Sequence, residues 1–300
     1  MSQAIKQLNA VNPLEQAAEV TGQQPVIEEH AQEQVSREST LFAEPIFHLG
    51  GFIVTNSLLN SWAVVIIILG LVVLLKRKLK KVPGQFQGAF EVILEGALNM
   101  ADSVTGNRQK TLRIFPIVFA IFIFIILNNW LGLLPGVGSI GFIESGAEGK
   151  VFVPLLRGAT ADLNTTLALA LFAVIGSNIF GFVAVGIWKH FNKYVNVKAF
   201  LDIPQKIKKD PTIIFVNPIK AFVGIIEIIG EMAKVASLSF RLFGNIFAGE
   251  VLLSAMAVIF AFVLPIPFMF LEIIVGLIQA LIFAMLTLVY FTIAGTAEEH

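Results

Sequence analysis

Long apolar runs alternate with short polar breaks along most of the chain. The first, Leu58 to Leu75, ends on Lys76-Arg77-Lys78-Leu79-Lys80-Lys81. Its length suffices to cross a ~30 Å hydrocarbon core when the ends snorkel. The second runs from Ile114 to Pro135 and the third from Leu163 to Trp188. Two longer runs, Ile219 to Leu264 and Phe268 to Ala297, are separated by a Leu-Pro-Ile-Pro turn ending at Pro267. The stretch Pro83 to Gly106 has a different pattern. Gln87, Glu91 and Glu95 recur at every fourth position, opposite Phe86, Phe90, Ile93, Ala97 and Met100. Such a segment is amphipathic and too polar to span, so it belongs at the membrane surface or packed on other spans. The pattern predicts an all-α polytopic membrane protein with five transmembrane helices plus one amphipathic helix.

The run Ile219 to Leu264 poses a problem of length, since its residues would extend ~69 Å as a helix, over twice the core thickness. Either the helix is strongly tilted or it breaks near Glu231 to Ser239 into an interfacial part and a span. No glycine or proline falls between Glu231 and Phe243, which favours continuity. The last two helices are then expected to form a long tilted hairpin. This fork governs Arg241. In an unbroken oblique helix it sits near mid-membrane, where a charge costs ~2.5–3.5 kcal/mol on insertion scales and is a functional hypothesis by default. If Leu242 to Leu264 is the whole span, Arg241 is an ordinary cytoplasmic flank.

Charge adds orientation. The basic cluster after the first run and the seven lysines between Lys189 and Lys220, set against Asp202 and Asp210, mark cytoplasmic segments. The amino terminus is then outside and the carboxyl terminus inside. Residues 1–45 carry seven glutamates but only Lys6 and Arg37, and read as a polar acidic extension that is neither a signal nor a transit peptide. Residues 46–300 form the membrane-embedded domain. At 56% hydrophobic and 14% charged, with mean hydropathy +0.81, the chain lies outside the soluble range. Zero net charge implies no attraction to nucleic acid, and the absence of cysteine removes thiol chemistry. No phosphate loop or zinc-protease motif is present, and His30, His48, His190 and His300 have no ligand spacing. No cofactor or metal is expected.

Near the outer end of the second run, Trp130 fits an interfacial belt, while Asn128 and Asn129 could hydrate a cavity. Ala173, Ser177 and Gly181 give the third run a small face for close helix packing. On the fourth run, Lys234, Asn245 and Glu227 fall within about 40° of Arg241 and form one polar stripe. Glu231 lies with Glu227 toward the cytoplasmic end. Glu250 is rotated by about 180° from Arg241 and lies ~13.5 Å further along. In the final run, Glu272 and Gln279 share a face, and Glu272 can approach Glu250 near the outer turn. Two carboxylates in a low-dielectric cleft cannot both ionise cheaply, which suits a proton relay or a cation site. Ser237, Gly244 and Ala248 would admit a second helix close to Arg241. The chain supplies no acid there, which points to a partner subunit.

The stretch Ser237-Leu-Ser-Phe-Arg-Leu-Phe-Gly-Asn-Ile-Phe-Ala-Gly-Glu250 closely resembles the signature of subunit a of F-type ATP synthases. The resemblance extends to Thr160-Ala-Asp-Leu-Asn164, to Asn128-Asn-Trp-Leu-Gly-Leu-Leu-Pro135, and to Glu272 and Gln279, covering roughly Ile46 to the carboxyl end. It implies a non-catalytic stator protein of the bacterial inner membrane that faces a ring of c subunits. The b-subunit peripheral stalk, the catalytic head acting indirectly and the lipid bilayer complete its implied surroundings. Two aqueous half-channels would conduct protons to and from the ring carboxylates. By the same resemblance, Arg241 would separate the channels, with Asn245 beside it. Glu250, Glu272 and Gln279 match the outer path; Glu227, Glu231, Lys234 and Ser237 match the inner one. Two positions depart from the pattern: Glu272 replaces a histidine common in bacterial members, and Ala159 stands where the family often has proline.

Overall fold

The computed structural model describes residues 40–80, 84–134, 136–146, 149–187, 213–260 and 263–296. The acidic extension before residue 40 and the lysine-rich loop after Trp188 lie outside the described residues. Among those described there are six helices: α1 (Asn56–Lys78), α2 (Gln85–Thr105), α3 (Arg108–Leu133), α4 (Leu163–Val185), α5 (Ile213–Ile259) and α6 (Pro265–Ala294). All except α2 contain a stretch long and apolar enough to cross a membrane.

Polar residues fix the helix ends. Thr55 caps α1 by accepting from the Leu58 amide, and the Asn107 side chain accepts from the amides of Gln109 and Lys110 in the first turn of α3. Asp162 caps α4 through Asn164 and Thr165. Helix α2 ends on Gly106 at φ 66°, a left-handed conformation that glycine adopts without steric cost. Gln87 clasps the chain after α1, bonding both the amide and the carbonyl of Lys80 and the Glu91 carboxylate.

Helix α2 is amphipathic as expected, but its buried stripe is displaced. Leu94, Ala97, Leu98, Ala101 and Val104 pack on α3 and α6, while Ile93 and Met100 are 63% and 44% exposed. Apolar exposure costs little against lipid, so spacing alone could not tell the lipid face from the bundle face.

Two antiparallel hairpins were not anticipated: β1 (Pro45–Leu49) with β2 (Phe52–Thr55), and β3 (Gly141–Gly146) with β4 (Gly149–Pro154). The first turns through Gly50 and Gly51, both at positive φ. One hairpin leads into α1 and the other joins α3 to α4, so both lie at the end of the bundle where α5 turns into α6. This end is termed the hairpin side, and the end bearing Lys76 and Lys80 the lysine side.

Helix α5 settles the question of continuity. It runs without a break for 47 residues, of which Phe222–Ile259 is span-like. That stretch is ~57 Å long, so it crosses a ~30 Å core obliquely. It packs on α4 and α6, and α6 in turn on α2, α3 and α4. Ala173, Ser177 and Gly181 of α4 are buried, as a small-residue packing face requires. The central core joins Ile121 and Ile125 of α3, Ala170, Ala173 and Val174 of α4, Leu238 and Leu242 of α5, and Ala280 and Phe283 of α6.

Candidate functional site

Arg241 lies between Leu238 and Leu242 of this core, 19 residues after Phe222 and 18 before Ile259. The midpoints of α3, α4 and α6 fall near Ile121, Val174 and Ala280, and all three belong to the same cluster as Leu238 and Leu242. Arg241 is therefore level with the middle of the helix bundle, and the span-like stretch Phe222–Ile259 extends on both sides of it rather than beginning at Leu242. Its side chain points away from the core: Arg241, Gly244, Asn245 and Ala248 are exposed, whereas Leu242, Phe243, Ile246 and Gly249 are buried. Arg241 Nη2 donates to Ser237 Oγ at 3.3 Å, and Asn245 Nδ2 donates to the Arg241 carbonyl at 2.8 Å. Among the described residues no carboxylate forms an ion pair with Arg241. A Cβ at Gly244 would meet nothing within 4 Å, so the face beside the guanidinium is open.

Toward the lysine side, α5 carries a compact polar cluster. Lys234 Nζ donates to Glu231 Oε1 at 2.7 Å and stands 5.2 Å from the Tyr290 ring centroid on α6. Asn178 of α4 donates to Glu231 Oε2 at 3.2 Å and to the Val174 carbonyl at 2.9 Å. Three helices thus converge on the Glu231–Lys234 pair. Glu227 is half-buried one turn further along. Sequence reading missed Asn178 and Tyr290, because each meets Glu231 or Lys234 only through tertiary packing.

Toward the hairpin side is a cavity of about 270 Å³ lined by Glu250, Glu272, Asn129, Arg157, Ser139 and Ser254 among others. Glu272 is 5% exposed, and its carboxyl lies against the backbone of Gly249, where a Cβ would occupy the same space. Glu272 Oε1 is buried and has no hydrogen-bond partner among the described residues. The two carboxylates do share one cavity, as expected, but they are not equivalent. Glu250 is bound by Arg157 at 3.0 Å, a contact across 93 residues that spacing along the chain does not reveal. Gln279, two turns after Glu272 on α6, is half-buried and does not line the cavity.

Both asparagines near the end of α3 are buried; Asn129 also lines the cavity, as expected, whereas Asn128 does not. Asn129 donates to the Gly276 carbonyl at 2.9 Å and accepts from Thr160 at 2.6 Å. Asn128 accepts from Asn60 of α1 at 3.2 Å. Trp130 stays partly exposed and donates to the Ile273 carbonyl at 3.1 Å, which suits its interfacial position.

The arrangement is two polar clusters displaced toward opposite ends of one long helix, with a permanent cation between them. The family model described as ATP synthase A chain matches residues 58–292. The chain is 33% identical over 251 residues to an ATP synthase subunit a of Syntrophobacter fumaroxidans, covering 83% of this chain and 87% of that one. It is 33% identical over 256 residues to that of Mycobacterium marinum, covering 84% and 91%. It is 29% identical over 255 residues to that of Moorella thermoacetica, covering 85% and 96%.

Proposed function

The chain belongs to the ATP synthase A chain family, and from that membership we propose that it conducts protons through two offset half-channels to and from the carboxylates of a c-subunit ring. It is a multi-pass membrane subunit of the ATP synthase, and on this reading residues 46–300 are its ion-translocating domain. The observation that carries the proposal is the placement of Arg241: mid-depth, unpaired with any described carboxylate, and on an open face between the two polar clusters.

The chemistry follows from charge. A guanidinium cannot release its proton at accessible pH, so Arg241 carries none itself. It favours the ionised form of any carboxylic acid brought against it. A ring carboxylic acid arriving at Arg241 loses its proton toward the lysine-side cluster of Glu227, Glu231, Lys234 and Ser237. After passing Arg241 it is reprotonated from the hairpin-side cavity, past Glu250 and Glu272. Asn245 holds the α5 backbone beside Arg241, and Gln279 faces the path between Glu272 and mid-depth. The open face at Gly244 and Ala248 admits the ring helix. The hairpin side is outside, the lysine side is cytoplasmic, and the membrane is the bacterial inner membrane. The lipid-exposed face of α1 is available to the b-subunit stalk, which connects to the catalytic head.

Thiol crosslinking tests the interface, since the chain has no cysteine of its own. Gly244→Cys and Ala248→Cys are expected to crosslink to cysteines on the ring helix, whereas Ile246→Cys on the buried face is not. Crosslinking at Ile246 alone would reverse the assignment of faces.

A further inference from the structure

Arg157 is a buried charge that the proton path does not by itself account for. It lies between β4 and the 3₁₀ turn Ala159–Ala161 and is 5% exposed. Its Nε and Nη2 donate to Glu250 Oε2 at 3.1 and 3.0 Å. Nη1 donates to Thr40 Oγ1 at 3.1 Å and the Phe42 carbonyl at 3.3 Å, and Nη2 also to the Thr40 carbonyl at 2.8 Å. A guanidinium has five N–H groups, and these contacts use all of them. Arg157 is consequently fixed in place, unlike Arg241.

The contacts join three separate segments: the loop after β4, helix α5 and the strap Thr40–Glu44. Backbone bonds hold the strap along its length. The Ala43 amide donates to Asp162 Oδ1 at 3.2 Å, the Leu163 amide to the Leu41 carbonyl at 3.4 Å, and the Glu44 amide to Asn56 Oδ1 at 3.2 Å. Arg157 can reach Glu250 because the loop backbone presses on α3, where Gly158 lies so close to Gly132 that a Cβ there would come within 2.9 Å of Gly158 Cα. In the shared cavity, Glu250 thus has a fixed countercharge, while Glu272 presents an oxygen with no described partner.

We propose that Arg157 is a positioning residue of the outer proton path: it clamps Glu250 and the Thr40–Glu44 strap together as a rigid wall, leaving Glu272 as the carboxyl that exchanges protons with the cavity. The inference rests on the proton-conducting role given above. Glu250 then shapes the mouth as a fixed anion and is not a carrier.

The test uses the complete ATP synthase in inverted membrane vesicles, comparing ATP-driven proton pumping of Arg157→Gln, Glu250→Gln, the double variant, Glu272→Gln and Arg241→Ala. Arg157→Gln is expected to lower pumping about tenfold or more, the factor that one lost charge-assisted hydrogen bond sets. The double variant removes the stranded carboxylate and should recover most of that loss, whereas Glu272→Gln stays inactive. Pumping of Arg157→Gln at the unchanged rate, or a double variant showing the product of the two single losses, overturns the clamp. In the purified complex, hydrogen exchange at residues 40–44 should rise about tenfold or more when the clamp is broken. If Arg157→Gln does not assemble, Arg157→Lys supplies the charge without the fork, and unchanged exchange in that variant overturns the proposal. Arg241→Ala separates the two readings. Normal pumping there defeats the proton-path assignment itself, while lost pumping there alongside normal Arg157 variants defeats only the clamp.

Discussion

Gly249→Ala isolates the position of one carboxyl from the stability of the bundle. The added methyl would occupy the space now held by the Glu272 carboxyl group. That carboxyl is the far end of a flexible side chain facing a cavity of about 270 Å³, so it can move aside. The structural cost is that of an off-rotamer side chain, ~0.5–1.5 kcal/mol, well below the loss expected from a clash of backbones. Assembly of the complex should therefore persist. Proton transfer is far more sensitive, because a displacement of about 1 Å at a reacting group can cost on the order of 100-fold in rate. Passive proton conduction through the membrane sector, measured in vesicles stripped of the catalytic head, should fall by roughly tenfold or more. Adding Glu272→Asp shortens the side chain by one methylene and draws the carboxyl back from the new methyl, so the double variant should conduct better than Gly249→Ala. Unchanged conduction in Gly249→Ala, or a double variant worse than both singles, would refute the assignment of Glu272 to the path.

Two further outcomes probe the scaffold. Gly132→Ala sets a Cβ 2.9 Å from the Gly158 backbone, which cannot rotate away; a loss of ~1–3 kcal/mol is expected, read as reduced assembled complex and a lower melting temperature. Asn60→Leu leaves Asn128 without its partner on α1; the cost should be ~0.6–1.7 kcal/mol, seen as easier dissociation of α1 in detergent with conduction unchanged.

The five spans were legible because each carries its own apolar length, and the oblique course of α5 because no residue between Glu231 and Phe243 interrupts a helix longer than the membrane is thick. Arg241 stood out for the same reason, as a charge in an apolar run. The contacts that shape the site were less accessible. Arg157 meets Glu250 and Thr40 across 93 and 117 residues, and periodicity carries no information about such partners. The burial of Asn128 and Asn129 likewise depends on α1, α6 and the 3₁₀ turn arriving together. A signal for the first hairpin did exist, in Gly50-Gly51 between apolar strands, but it was overshadowed by the helical pattern around it. The displaced stripe on α2 shows a further limit: in a bilayer, hydrophobicity does not distinguish a lipid-facing side chain from a packed one.

The central claim is that Arg241 divides two half-channels at mid-depth. Its most direct test is Arg241→Ala in membrane vesicles, with passive proton conduction measured after removal of the catalytic head and ATP-driven pumping measured in the intact complex. Assembly and passive conduction should persist while pumping is lost, since the barrier that forces protons to travel with the ring is gone. Coupled pumping at the normal rate would contradict the account.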